Sequence, residues 1–237
     1  MKGRLQRIGD KVDLLDDRVY AVLKDAIMSL VLEPGERLLE REIVQQLEIS
    51  RTPVRRALVR LQREGFVRQV AHKGAFVATV TTTTVIELSE LRQALEGFAI
   101  RKALASLETQ DFQALRESCE RAMKMLRDGD MDGYAKCNEE FHLRFVEAAQ
   151  NSHLHSVWRN ANEHLWRIRL IWGRSRSPEE VPRILKLFQE QHVEILQAAE
   201  RGDATTVESL MVRHIASFAS WIVTDVEAGR IPHIAVE

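Results

Sequence analysis

Cysteine is scarce: the 237 residues contain two, Cys119 and Cys137, and their separation matches no zinc-binding spacing. A disulfide framework is therefore excluded, and reduced thiols in a cytoplasm are the simple reading. Long apolar runs are missing as well. None approaches the ~20 residues that a membrane-spanning helix requires, so no membrane partner is expected. The opening MKGRLQRIGD lacks the apolar core of a secretory signal, and the expected location is cytoplasmic. There is no low-complexity segment and no clear repeat. What is present is ordinary for a globular chain: 45% hydrophobic, 29% charged and a net charge of -1. The length allows one large domain or two small ones, each with a full core.

The small net charge hides an uneven distribution. Residues 1–80 carry 15 Lys+Arg against 11 Asp+Glu, while residues 81–237 carry 19 against 24. Residues 50–74 concentrate the positive charge, with seven basic residues and a single acid, Glu64. Such halves suggest a module facing a polyanion joined to a module with another task.

The order of elements in the basic half is informative. Asp16-Asp17 can cap a helix whose apolar positions Val19, Val22, Leu23, Ala26, Ile27 and Leu30 recur at helical spacing. Leu32-Glu33-Pro34-Gly35 ends it. A second helix over about 39–47 buries Ile43, Val44 and Leu47, and a tight break follows at Glu48-Ile49. Ser50 is placed to cap a third helix with its hydroxyl, and Pro53 falls in the first turn, where a missing N–H forfeits no helical bond. Val54, Ala57, Leu58 and Leu61 form the buried stripe, with Arg51, Arg55 and Arg56 off it, and Gly65 stops the helix. Two strand-like runs, 66–71 and 75–80, flank a basic tip, His72-Lys73-Gly74. The set describes a winged helix-turn-helix, whose third helix enters the major groove of double-stranded DNA. An arginine-rich face taken alone is more simply a solvated one. RNA or a protein partner are the other occupants this face allows.

The stretch LEPGERLLEREIVQQLEISRTPVRRALVRLQREGFV resembles the amino-terminal domain of the GntR family of bacterial transcription regulators. The resemblance implies DNA contacts from Arg41 on the second helix, from Arg51, Thr52 and Arg55 on the third, and from Lys73 and Gly74 at the wing. Arg51 and Arg55 suit bidentate pairing with guanine, at ~1–3 kcal/mol of base discrimination each. Ser50 and Thr52 suit phosphate oxygens or a thymine methyl. Two positions depart from the family. Glu48 stands where glycine is usual, with strain on the order of 1 kcal/mol if the left-handed turn is kept. Arg56 stands where glutamate is common and adds charge close to the phosphates.

From residue 81 onward the pattern is helical throughout, with runs at about 82–106, 110–127, 130–149, 151–173, 178–201 and 203–228. About six helices with short loops imply an antiparallel bundle. The fold expected is mainly α, a winged helix-turn-helix followed by this bundle. It divides into an arm at 1–14, the DNA-binding domain at 15–80, a hinge at 81–84, an effector-binding and dimerisation domain at 85–230, and a tail at 231–237.

Three bundle helices each turn a histidine inward. Tyr134, Asn138, His142 and Phe145 share one face; Phe188, His192 and Leu196 share another; Leu210, His214 and Phe218 a third. A lone inward histidine is more often a satisfied core residue. Three of them need three partners, and one divalent metal satisfies all of them at once.

NEEFHLRFVEAAQN, QHVEILQAAERGD and MVRHI resemble the effector-binding FCD domain of the FadR branch of GntR regulators, nearer the shorter VanR-like subgroup. The resemblance carries metal-ligand roles onto His142, His192 and His214, with Asn138 at a fourth position where aspartate is frequent. It implies a divalent transition metal, zinc or nickel, and a small carboxylate effector. Arg92 is placed to supply a cation for that acid or to bridge to Glu96, and Arg169, beside Arg167, is a further candidate. A homodimer reading a short pseudo-palindrome follows, a repressor associated with the nucleoid when bound to DNA. Two other readings stand beside it: a DNA-binding regulator whose bundle is a metal-free dimerisation scaffold, and a metal-dependent hydrolase. The latter lacks HExxH and any evident general base.

Overall fold

The computed structural model describes residues 10–236, with side chains from residue 15 onward. Of the arm expected at 1–14, residues 1–9 lie outside the described residues. The chain divides into two compact units between Val80 and Thr81.

In the first unit, α1 (Asp10–Met28) starts earlier than the expected cap at Asp16-Asp17. Those aspartates lie inside the helix because they face α3 (Arg51–Arg63): Asp16 accepts from Arg56 at 2.8 Å and Asp17 from Arg60 at 2.9 Å. The loop after α1 turns at Gly35, whose φ is +83°, and its N–H donates to the Val77 carbonyl at 3.0 Å. That lays β1 (Arg37–Leu38) beside β3 (Gly74–Val77), a strand of two residues with too little sequence to carry a pattern. β2 (Val67–Val70) pairs antiparallel on the other side of β3, with Val67 opposite Val77 and Val70 opposite Gly74. The sheet order is β1-β3-β2. Between β1 and α3 lies α2 (Glu40–Leu47). Val19, Leu23, Ile27, Ile43, Val54, Leu58, Leu61 and Phe66 close the core over the sheet.

The break after α2 keeps its left-handed geometry. Glu48 has φ 52° and ψ 42° and donates its N–H to the Val44 carbonyl. Ser50 occupies the N-cap position of α3, but its hydroxyl makes no capping bond, contrary to expectation. The reason is Pro53, third in the helix, which lacks the N–H that a cap hydroxyl usually receives.

The second unit is a bundle of six helices: α4 (Thr82–Ala103), α5 (Thr109–Asp128), α6 (Met131–Ala148), α7 (Ser152–Arg174), α8 (Glu180–Glu200) and α9 (Ala204–Glu227). The polar breaks between the expected runs are their caps. The Thr81 hydroxyl accepts from the Thr84 N–H, and Asp130, Asn151 and Asp203 cap α6, α7 and α9 in the same way. Glu108 and Asp111 form a capping box on α5. The strands β4 (Val80–Thr81) and β5 (Ile234–Ala235) pair, returning the tail to the first residues of the bundle. Phe141, Phe145, Ile100, Leu115, Ile195 and Met211 fill the bundle core. Among the described residues no helix is long and apolar enough to cross a membrane.

Candidate functional site

The inward faces of α6, α8 and α9 meet, and they bring His142, His192 and His214 together. His142 and His192 have no exposed surface and His214 is 5% exposed. Nε2 of His192 lies 3.2 Å from Nε2 of His142 and 3.1 Å from Nε2 of His214. Each Nδ1 is committed elsewhere. That of His142 lies 2.7 Å from Glu96 Oε2 on α4, that of His192 3.1 Å from Gln189 Oε1, and that of His214 2.8 Å from Gln191 Oε1. Gln189 is held in this orientation because its amide N–H donates to the Cys119 carbonyl at 3.3 Å. With an acceptor at every Nδ1, each ring carries its proton there and turns the Nε2 lone pair inward.

Burial pushes all three imidazoles well below their ordinary 6.5. The charges of Arg92 and Arg169 add to this at His142, and neighbouring histidines and Arg92 add to it at His192 and His214. All three are neutral at neutral pH, the form that binds metal. Three lone pairs at such separations repel one another, and a shared cation removes the repulsion. Two metal–imidazole bonds of ~2.0–2.1 Å near the tetrahedral angle span ~3.3 Å, close to the separations observed. The donor set therefore fits a divalent metal, and the trio could coordinate one.

Sequence reasoning did not place Glu96 in the metal site, and it is the site's most connected support. It is fully buried, takes the Trp158 indole N–H on Oε1 at 2.7 Å, pairs with Arg92, and meets His142 on its other oxygen. Of the two roles open to Arg92, the bridge to Glu96 is therefore made. A sequence signal existed: Arg92, Glu96 and Ile100 recur at helical spacing on one stripe of α4, and a charged pair in such a stripe is buried together.

A cavity of about 610 Å³ adjoins the histidines, lined in part by Arg92, Asn138, Arg169 and His214. Arg92 Nη2 and Arg169 Nη1 are buried and have no hydrogen-bond partner among the described residues. Burial, reinforced by Arg92, pushes the Arg169 guanidinium down to about 9, so it stays cationic at neutral pH. The Asn138 amide makes no hydrogen bond among the described residues. Arg167 is buried and does not line the cavity.

In the first unit Arg41, Ser50, Arg51, Thr52, Arg55, Arg56 and Lys73 are all exposed, and Gly74 is half-buried with open space beyond its Cα. Arg41 and Arg51 make no ion pair among the described residues. Arg55 meets Glu40 at 2.8 Å in an exposed pair, which contributes little stability and leaves the guanidinium available. Arg56 is held back by Asp16. Arg60 has a structural task. It stacks 3.6 Å over the Tyr20 ring and joins Glu64, which also accepts from Tyr20 at 2.6 Å and Lys24 at 3.1 Å.

Residues 15–77 match the family of bacterial regulatory proteins called gntR, and residues 87–217 match the FCD domain. The chain is 35% identical over 190 residues to the Nta operon transcriptional regulator of Aminobacter aminovorans, covering 79% of this chain and 85% of that protein. It is 23% identical over 201 residues to the HTH-type transcriptional repressor RspR of Escherichia coli (strain K12), covering 85% and 86%. Its fold is similar to that of E. coli McbR/YncC, with a TM-score of 0.70 at 23% identity over 90% of this chain and 98% of that one. The two curated relatives are transcriptional regulators, not enzymes.

Proposed function

Because the chain belongs to the gntR family of bacterial regulatory proteins and carries an FCD domain, we propose that it is a ligand-responsive repressor. It binds a short pseudo-palindromic operator as a homodimer and releases it when a carboxylate effector occupies the helical unit. Six helices in that unit support a place in the FadR branch, nearer the VanR-like subgroup.

On the DNA side, Arg51 and Arg55 read base edges from the N-terminal turn of α3, with Arg41, Thr52, Lys73 and Gly74 placed for backbone contacts. The Ser50 hydroxyl, left without a capping bond by Pro53, is available to a phosphate oxygen. Arg56 adds positive charge at the edge of this surface. Dimerisation is supported by the outer face of α4, where Glu87, Leu91, Ala94, Phe98 and Lys102 are exposed along one side. An antiparallel second copy of α4 sets Leu91 against Phe98 and Glu87 against Lys102, the self-complementary pattern of a two-fold interface.

On the effector side, His142, His192 and His214 hold the metal, zinc or nickel by the preference of imidazole, with the Asn138 carbonyl at the fourth position. The ion supplies a Lewis-acid centre that attracts an anion. Arg92 and Arg169 offer unfilled N–H groups to the same anion, and the apolar walls exclude water around it. Effector binding shifts the population between DNA-binding and released states, by no more than its differential affinity for the two.

The convergence of three Nε2 lone pairs, every Nδ1 being anchored, carries the reading. Protein purified without chelator should hold stoichiometric metal, and His192→Ala should lose it. Carboxylates should raise the melting temperature of the wild type by mass action. Equal trace metal in both proteins, with no acid shifting either melt, would leave the bundle as a dimerisation scaffold.

A further inference from the structure

The cavity beside the histidines is far larger than a small acid needs. Its volume of about 610 Å³ lies in the ~300–1,000 Å³ range of pockets that enclose drug-sized ligands. Arg92, Asn138 and Arg169 line its histidine end, whereas Asp132 and Arg174, which also line it, are exposed and Arg176 is committed to Asp225. Arg92 is tied to His142 through Glu96, Asn138 stands one helical turn before His142, and Arg169 sits 5.7 Å over the ring of Phe218, one turn after His214.

Elsewhere the lining is predominantly apolar. Trp172 and Phe188 both meet Phe218 edge-to-face, with centroids 5.6 and 5.2 Å apart, and the three rings form a continuous wall. The hydroxyls that a sugar acid or hydroxy-polyacid would call on are few, and they already point to backbone carbonyls: Ser89 to Ile215 and Tyr134 to Leu185, both at 3.4 Å. A ligand with several hydroxyl groups would leave them unpaired along the part of this cavity walled by Trp172, Phe188 and Phe218, at a cost in affinity.

The geometry points to an aryl carboxylate as the effector. Its carboxylate lies between Arg92 and Arg169, and its ring lies against Trp172, Phe188 and Phe218. This rests on the acid-sensing reading above and narrows the class of acid. Aromatic rings favour the offset and edge-to-face contacts that such a wall provides.

The test uses the full-length, metal-replete protein and calorimetric titration with five probes: phenylacetate, 2-naphthoate, octanoate, acetate and citrate. Burying a ring should make the two aryl acids bind ~10–100-fold more tightly than acetate. Citrate should bind no better than acetate, and octanoate should fall short of 2-naphthoate. Phe218→Ala also removes the ring beneath Arg169, so it should weaken both acids, and 2-naphthoate about tenfold more than acetate. Acetate or citrate binding as tightly as the aryl acids overturns the inference while leaving the acid-sensing reading intact. Octanoate matching 2-naphthoate, or Phe218→Ala weakening acetate and 2-naphthoate alike, overturns the ring contact. Binding of none of the five removes the acid-sensing reading, and this inference with it.

Discussion

Replacing Glu96 by glutamine is the most searching perturbation of the histidine cluster, because it is nearly isosteric yet changes three interactions at once. Glu96 is fully buried and receives Arg92 and Trp158 on Oε1 and His142 Nδ1 on Oε2. A glutamine can keep its carbonyl toward Arg92 and Trp158. Its NH2 then faces His142, whose Nδ1 must accept instead of donate. The imidazole changes tautomer, and the proton moves to Nε2, the atom that faces the other two histidines. Losing a supporting partner commonly lowers metal affinity ~10–100-fold, and a proton on the ligand atom places this variant at the upper end. Stability should fall too. Arg92 is 2% exposed, and leaving it without its carboxylate costs ~3–5 kcal/mol. That corresponds to a drop in melting temperature of roughly 10 °C. Metal affinity is read by competition with a chromogenic chelator and the melt by calorimetry. Trp158→Phe is the control: it removes a donor to Glu96 and leaves the His142 contact, so it should lose stability and keep the metal. Wild-type metal affinity in Glu96→Gln would refute the tautomer argument. Equal metal loss in Trp158→Phe would show that general loosening, not the proton, is responsible.

Four other perturbations probe the rest of the molecule. Glu48→Gly should relieve the left-handed strain at φ 52° and stabilise the protein by ~0.5–1 kcal/mol, after the added flexibility of the unfolded chain is counted; an unchanged or lower melting temperature would show there is no strain to relieve. Arg56→Glu should flatten the plot of log K against log salt by ~0.9 for each phosphate that is no longer neutralised, and parallel plots would remove Arg56 from the DNA surface. Leu91→Glu sets a carboxylate against the apolar ring of Phe98 and removes apolar burial at the proposed two-fold, so it should yield monomers in sedimentation; an intact dimer would move the interface off α4. Burial pushes the Asp225 carboxyl up, but hydrogen bonds from Arg176, Arg230 and Trp172 outweigh it and hold the group below its ordinary 3.8. Its contribution is therefore complete at neutral pH and fades only as pH falls below about 4, through the depressed folded value. Asp225→Asn should lower the melt at pH 7 by the equivalent of ~3 kcal/mol and by progressively less as pH falls below about 4, and a pH-independent difference would contradict the sign.

Much of this architecture was legible in residue order alone. The six bundle helices could be placed from apolar spacing and the polar breaks at Glu108, Asp130, Asn151 and Asp203, because helix caps are local interactions between neighbours in sequence. The basic third helix could be placed from Pro53, its buried stripe and Gly65 for the same reason. The three inward histidines followed from their shared stripes with Phe145, Phe188 and Phe218, since a stripe's apolar neighbours fix which way each ring must turn.

Contacts across long separations were not legible. The bond from Glu96 to His142 spans 46 residues and that from Trp158 to Glu96 spans 62, and no periodicity within one helix encodes which neighbour it packs against. β1 escaped notice because two residues carry no alternation, and the start of α1 because its aspartates are held by α3 instead of by their own helix end. The cavity, too, belongs to no single helix. Local spacing determined which faces are buried; only packing decided which buried atoms meet, and that meeting turns three ordinary core histidines into a candidate metal centre opening onto a pocket.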